Sequence, residues 1–93
     1  MSTTVGKEQL ATEEWLECQL DKGMFSDEIA VTYPAVGKMQ KSVFVSKTEV
    51  RGTAGERGKV RVRVIRRNND VIAVLPTEYQ DIVFISDREI STE

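Results

Sequence analysis

The chain has 93 residues, with 13 Lys plus Arg against 15 Asp plus Glu, no His, one Cys and one Trp. That length suits one domain with a small core, and a formal net charge of −2 argues against an evenly basic nucleic-acid binder. The missing His removes the commonest general base and metal ligand, and a single Cys removes internal disulfides and multi-Cys zinc patterns.

Residues 1–9 are small and polar, and a flexible tail is expected there, leaving 10–93 as a single domain. Met1 to Leu10 lacks a basic stretch followed by an apolar core, so no secretory signal is expected. No apolar run approaches the ~20 residues that span a bilayer. Together with a lone Cys18 read as a buried, reduced thiol, these features make a cytoplasmic chain the expectation.

Leu16, Cys18 and Leu20 alternate, which places all three on one face of a strand. The same region is rich in helix formers, and Lys22-Gly23 would end a helix well. An N-terminal helix over 8–22, lying on a five-stranded antiparallel sheet, is therefore the alternative α+β fold. If 16–20 is a strand, Asp21 to Asp27 is a hairpin loop with Met24 and Phe25 at its tip. Those two side chains either enter a groove on a partner or fold over the end of the core, and folding over is the plainer expectation.

Residues 28–33 and 42–46 read as a hairpin turning through Val36 to Lys41. Phe44, inside an apolar strand, is expected in the core, as is Phe84 further on. Tyr33 precedes Pro34 at a strand end, where its ring is either exposed or caps an open end of the barrel. Ser46-x-x-Glu49 is a capping-box pattern that predicts one short helical turn, followed by Val50 folding back as an apolar plug. Arg51 to Gly58 carries three glycines and reads as a flexible joint. No Lys-Ser/Thr follows them, so the segment is not a phosphate loop.

Val60, Val62 and Val64 alternate with Arg61 and Arg63, the pattern of a half-buried strand with its valines inward. Asn68-Asn69-Asp70 supplies turn residues that tolerate left-handed backbone, which makes 59–66 and 71–75 a second hairpin. Pro76 ends that strand. Gln80-Asp81 leads into a strand over 82–85, and Ser86-x-x-Glu89 repeats the capping box before Ile90.

Three blocks recur in the same order: an alternating apolar strand (16–20 and 60–64), Ile-Ala-Val (29–31 and 72–74), and Val-Phe-Val/Ile-Ser-x-x-Glu-Val/Ile (43–50 and 83–90). They predict a duplication of two similar βββ-plus-short-turn units, about 15–50 and 59–90, joined by 51–58. The resulting expectation is an all-β fold, a small barrel or sandwich of about six antiparallel strands, closed or nearly closed so that no long edge is left exposed. The strand-then-turn element at 83–90 resembles the end of a small SH3-like barrel over about eight residues per copy. A shape likeness of that kind carries no function.

Charge is segregated along the chain. Residues 1–30 hold two basic and seven acidic side chains, 31–67 ten and two, and 68–93 one and six. Within the basic third, Arg57, Lys59, Arg61, Arg63, Arg66 and Arg67 lie within eleven residues, and with the valines inward Lys59, Arg61 and Arg63 share one outward face, a stripe that either tracks phosphates or docks an acidic partner. The plainer expectation is cross-strand pairing with carboxylates such as Glu17, Glu28 or Glu78. Tyr33, Tyr79 and Trp15 are the aromatic candidates for such a surface; the two tyrosines either flank it or each cap an open end of the barrel with the ring and leave the hydroxyl wet.

Catalysis has little to stand on. No His pairs with a Ser or Cys nucleophile, adjacent carboxylates such as Asp27 and Glu28 point to opposite faces of a strand, and no spacing suits a metal. The expected function is a non-enzymatic module that binds a protein partner in a regulatory or assembly role, without cofactor, metal or membrane. The partner-binding candidates are Lys59, Arg61, Arg63, Arg66, Arg67, Met24, Phe25, Tyr33 and Tyr79. A nucleic-acid-binding barrel using 57–67 is the alternative, and a homodimer subunit is a further expectation.

Overall fold

The computed structural model of the chain describes residues 11–35, 38–68 and 70–92. The expected flexible tail, 1–9, lies outside them. The elements are β1 (Thr12–Lys22), β2 (Glu28–Ala35), β3 (Lys38–Ser46), a 3-10 turn (Lys47–Glu49), β4 (Val50–Arg51), β5 (Arg57–Arg67), β6 (Asp70–Val74), β7 (Ile82–Phe84), a second 3-10 turn (Asp87–Glu89) and β8 (Ile90–Ser91). The fold is all-β among the described residues. The helix considered over 8–22 is overturned, because Thr12–Lys22 is a strand. The alternation of Leu16, Cys18 and Leu20 outweighed the helix propensity of the intervening residues, since those three side chains reach the core only from an extended backbone.

The sheet runs β3-β2-β1-β5-β6-β7, with β4 added to β5 and β8 to β1. All pairings are antiparallel. Six strands form the path, and it curls strongly into a half-barrel. A closed or nearly closed barrel, or a sandwich, was expected; among the described residues no ladder joins the two end strands, β3 and β7, and the sheet is a half-barrel.

The longest pairing is β1 with β5, in which Leu16 lies opposite Val60 and Cys18 opposite Gly58. Their inward residues meet those of β2, β6 and the strand ends in one core: Leu16, Cys18, Leu20, Ile29, Val31, Tyr33, Val45, Val60, Val62, Val64, Ala73, Leu75 and Ile85. Val50 and Ile90 pack on that core as expected. Val50 pairs with Val60, and Ile90 pairs with Leu16.

Both short turns form, but only one is capped by its serine. The Ser46 hydroxyl accepts from the Thr48 N–H at 3.3 Å. Ser86 makes no side-chain cap, and its carbonyl instead accepts from the Glu89 N–H at 2.9 Å. Asn68 adopts the left-handed backbone expected of that hairpin turn, with φ 54.

Several expectations need correction. The two Ile-Ala-Val blocks sit on opposite registers: Ile29 and Val31 are buried in the core, whereas in the second block Ala73 is buried and Ile72 and Val74 are not. A one-residue offset exchanges the faces of a strand, and three consecutive apolar residues do not mark which face is inward. Phe44 and Phe84 are exposed on the outer face, because their neighbours Val45 and Ile85 take the inward positions.

The glycine-rich segment is shorter and tighter than a loose joint. Arg51, Arg57 and Gly58 belong to strands. Within the remaining turn, the Gly55 N–H donates to the Leu20 carbonyl at 2.7 Å and the Leu20 N–H donates to the Glu56 carbonyl at 2.9 Å. Gly58 has no room for a side chain: a Cβ there would lie 2.4 Å from the Arg51 carbonyl oxygen and 2.5 Å from Leu20 Cδ1.

Candidate interaction surfaces

Alternation along β5 turns Arg57, Lys59, Arg61, Arg63 and Arg67 outward, but carboxylates from neighbouring strands reach several of them. Arg57 Nη2 is 3.5 Å from Glu17 Oε1. Arg61 lies between Glu13 (3.8 Å) and Glu49 (3.5 Å). Lys59 donates to the Ser91 hydroxyl at 3.1 Å, and Arg63 donates to the Gln80 side-chain oxygen at 3.3 Å. Glu17 was among the expected partners; Glu13 and Glu49 were not. Trp15 sits against the same stripe, with the Arg51 guanidinium 4.1 Å and that of Arg61 5.5 Å from its ring centre. This arrangement places cations over an aromatic face, where the ring quadrupole attracts them.

Arg66 departs from the stripe. It continues the inward series Val60, Val62, Val64, and Glu14 precedes the inward series Leu16, Cys18, Leu20. The two close the end of the core as a two-point ion pair, 2.7 Å for Nη1 to Oε2 and 3.0 Å for Nη2 to Oε1. Asp87 joins them at 3.0 Å, and the Thr12 hydroxyl donates to Glu14. Glu14 is 6 % exposed. The Arg66 hydrogen bonds hold its carboxyl below the ordinary value, and they outweigh the upward push of burial.

Tyr33 is not accessible. It lies within β2 rather than at its end and is 1 % exposed. Burial raises its hydroxyl above the ordinary value, and the Asp81 charge adds to that. Tyr79 is 84 % exposed, so the two rings do not flank one surface. Met24 and Phe25 are 74 % and 66 % exposed at the tip of the β1–β2 hairpin. They do not plug the core, because Leu20 and the 52–56 turn already cover that end.

A surface not anticipated from the sequence lies on the outer face of β5, β6 and β7. Ile65 pairs with Ile72, which pairs with Phe84, and Val74 pairs with Ile82. These five side chains therefore form two adjacent cross-strand rows. Phe84 and Ile82 are exposed, and Ile65, Ile72 and Val74 are half-buried on the face away from the core. The matching face of the other half is more polar: Gln19 pairs with Thr32, which pairs with Ser42, and the Thr32 and Ser42 hydroxyls are hydrogen-bonded at 2.7 Å. The signal in the sequence was the uninterrupted apolar run Val71 to Leu75 followed by Ile82 to Ile85. Strands covered on both faces read this way, and strands with a wet face alternate.

A second feature is the gap between β3 and the 76–81 segment that leads into β7. Asp27, Glu28, Val43, Phe44 and Val45 face Pro76, Glu78, Tyr79 and Asp81 across a groove of about 550 Å³. It is continued by a smaller hollow between Ser42 and Val43 on one side and Ile82 and Val83 on the other. Among the described residues no group of His, Cys, Asp and Glu is placed to hold a metal ion. Compared with protein-family models, curated proteins and solved structures, the chain matches none.

Proposed function

We propose that this chain is a small non-enzymatic module that binds a protein partner, in a regulatory or assembly role, through the outer face of β5, β6 and β7. The observation that carries this reading is the pair of apolar rows, Ile65-Ile72-Phe84 and Val74-Ile82, on the sheet face away from the core, with Phe84 and Ile82 exposed. Contiguous apolar area rimmed by charge is unusual on a surface that faces only water. Arg63 and Arg67 stand beside the rows on β5 and give them a polar rim.

A nucleic-acid role draws less support, because Arg57, Arg61 and Arg66 are each met by carboxylates. The test is photo-crosslinking from a probe at position 84, with position 17 as control, in an extract of the source cells. One protein species joined at 84 and absent at 17, which then binds the purified chain, is the expected result. A crosslinked pair of copies would assign the face to self-association instead, and no adduct at 84 would count against the reading.

We also infer that the chain is a tandem duplication. Support comes from the way the two units exchange their last strands, with Val50 of the first pairing with Val60 of the second and Ile90 of the second pairing with Leu16 of the first. The third block, 43–50 and 83–90, matches in strand, turn and pairing. Ile-Ala-Val does not belong to the repeat, since Val31 corresponds to Ala73 when the β1–β2 and β5–β6 ladders are compared. A circular permutant opened within 53–55, with a short linker joining 92 to 11, is expected to fold with a melting temperature close to that of the parent chain. A permutant that stays unfolded would oppose the inference.

A further inference from the structure

We propose that the groove between β3 and β7 receives an extended segment of a partner protein, with apolar and basic side chains in alternation, which adds as a strand to the free edge of β3. This inference rests on the reading of the chain as a protein-binding module, and its groove meets the apolar rows at Ile82.

Three observations converge on it. First, β3 ends the sheet path, and among the described residues it pairs only with β2, so its other edge is open. An open edge presents unpaired N–H and C=O groups to any extended chain that reaches it. Second, the groove beside that edge is lined on one side by Val43, Phe44 and Val45 and on the other by Pro76 and Tyr79, so alternate side chains of an added strand would meet apolar walls. Third, Asp27, Glu28, Glu78 and Asp81 stand around the groove, and none of the described lining residues is basic. An acidic peptide would be repelled, and an uncharged one would leave the carboxylates unanswered. Alternation follows from geometry, because successive side chains of a strand point to opposite sides.

The half-barrel shape gives the proposal a physical motive. The curl brings β7 to the far side of the same groove without pairing it to β3. An inserted strand would satisfy the β3 edge and cover Val43 and Val83, which are only partly buried against the core.

The test uses the full chain and a display library of random decapeptides, selected at low salt, with the enriched peptide mapped by amide chemical-shift changes. The proposal expects enriched sequences that alternate basic and apolar residues and perturb amides of 42–46 and 77–81. It expects the double variant Asp27→Lys/Glu78→Lys, at two exposed positions, to lose at least about tenfold in affinity with its thermal melt unchanged. No enrichment, enrichment of acidic or unpatterned peptides, shifts confined elsewhere, or undiminished binding by the double variant would each overturn it. None of those failures touches the crosslink expected from position 84, so the two readings fall separately.

Discussion

Glu14 and Arg66 are 52 residues apart and meet on the inward face of the sheet, joined by two hydrogen bonds of 2.7 and 3.0 Å. Glu14 is nearly sealed from water while Arg66 remains about half-exposed. Losing the arginine would strand a buried carboxylate, whereas losing the glutamate would leave a guanidinium that water can reach.

Arg66→Ala is therefore expected to destabilise the fold by about 2 kcal/mol, the range for a hydrogen-bonded charged group left unmatched, and Glu14→Gln by less. Urea unfolding at neutral pH measures both.

The same pair sets an acid limit. The Glu14 carboxyl is held below its ordinary 4.5, so its contribution is present above that value and is lost as pH falls through the lower folded-state value. Glu14→Gln is expected to flatten the fall in stability below about pH 4.5. An unchanged acid limb in that variant would contradict the assignment.

Cys18 lies in the core, where burial pushes its thiol up to about 11 from 9.0. Its stabilising share is present below pH 9.0 and is lost as pH rises towards 11. At neutral pH a thiol reagent is expected to label it only at the rate of unfolding, measured by mass spectrometry across a urea series.

Gly58→Ala is expected to cost about 2–3 kcal/mol, because the new methyl group meets both a backbone carbonyl and buried Leu20. Gly55→Ala has open space around it and only its positive φ to oppose it, so about 1 kcal/mol is expected. The two midpoints, compared in one denaturant series, separate close packing from backbone strain.

Much of the fold was legible because β1 and β5 alternate apolar with polar residues, and that pattern fixes which face is inward. Carried two residues further, the same alternation puts Glu14 and Arg66 inward as well, which sets Arg66 apart from the other partner-binding candidates of β5. Legibility failed where apolar residues are consecutive. In Val43-Phe44-Val45 and Ile72-Ala73-Val74 no polar residue marks the wet side, so the face depends on pairing with strands distant in sequence. Tyr33 was misplaced because Pro34 suggests a strand end, yet β2 runs on to Ala35. Closure is not legible for a different reason: neither edge strand shows in its own sequence whether the other reaches it.

Whether the outer face of β5, β6 and β7 is the docking surface is read out by the affinity of the crosslinked partner for three forms of the chain. Ile82→Ser/Phe84→Ser is expected to weaken binding at least about tenfold relative to the parent, the loss typical of a central apolar contact. Arg61→Ala/Arg63→Ala is expected to change it by less than about threefold, as rim charges do. Tight binding that survives the first pair and collapses with the second would move the docking surface to the arginine stripe.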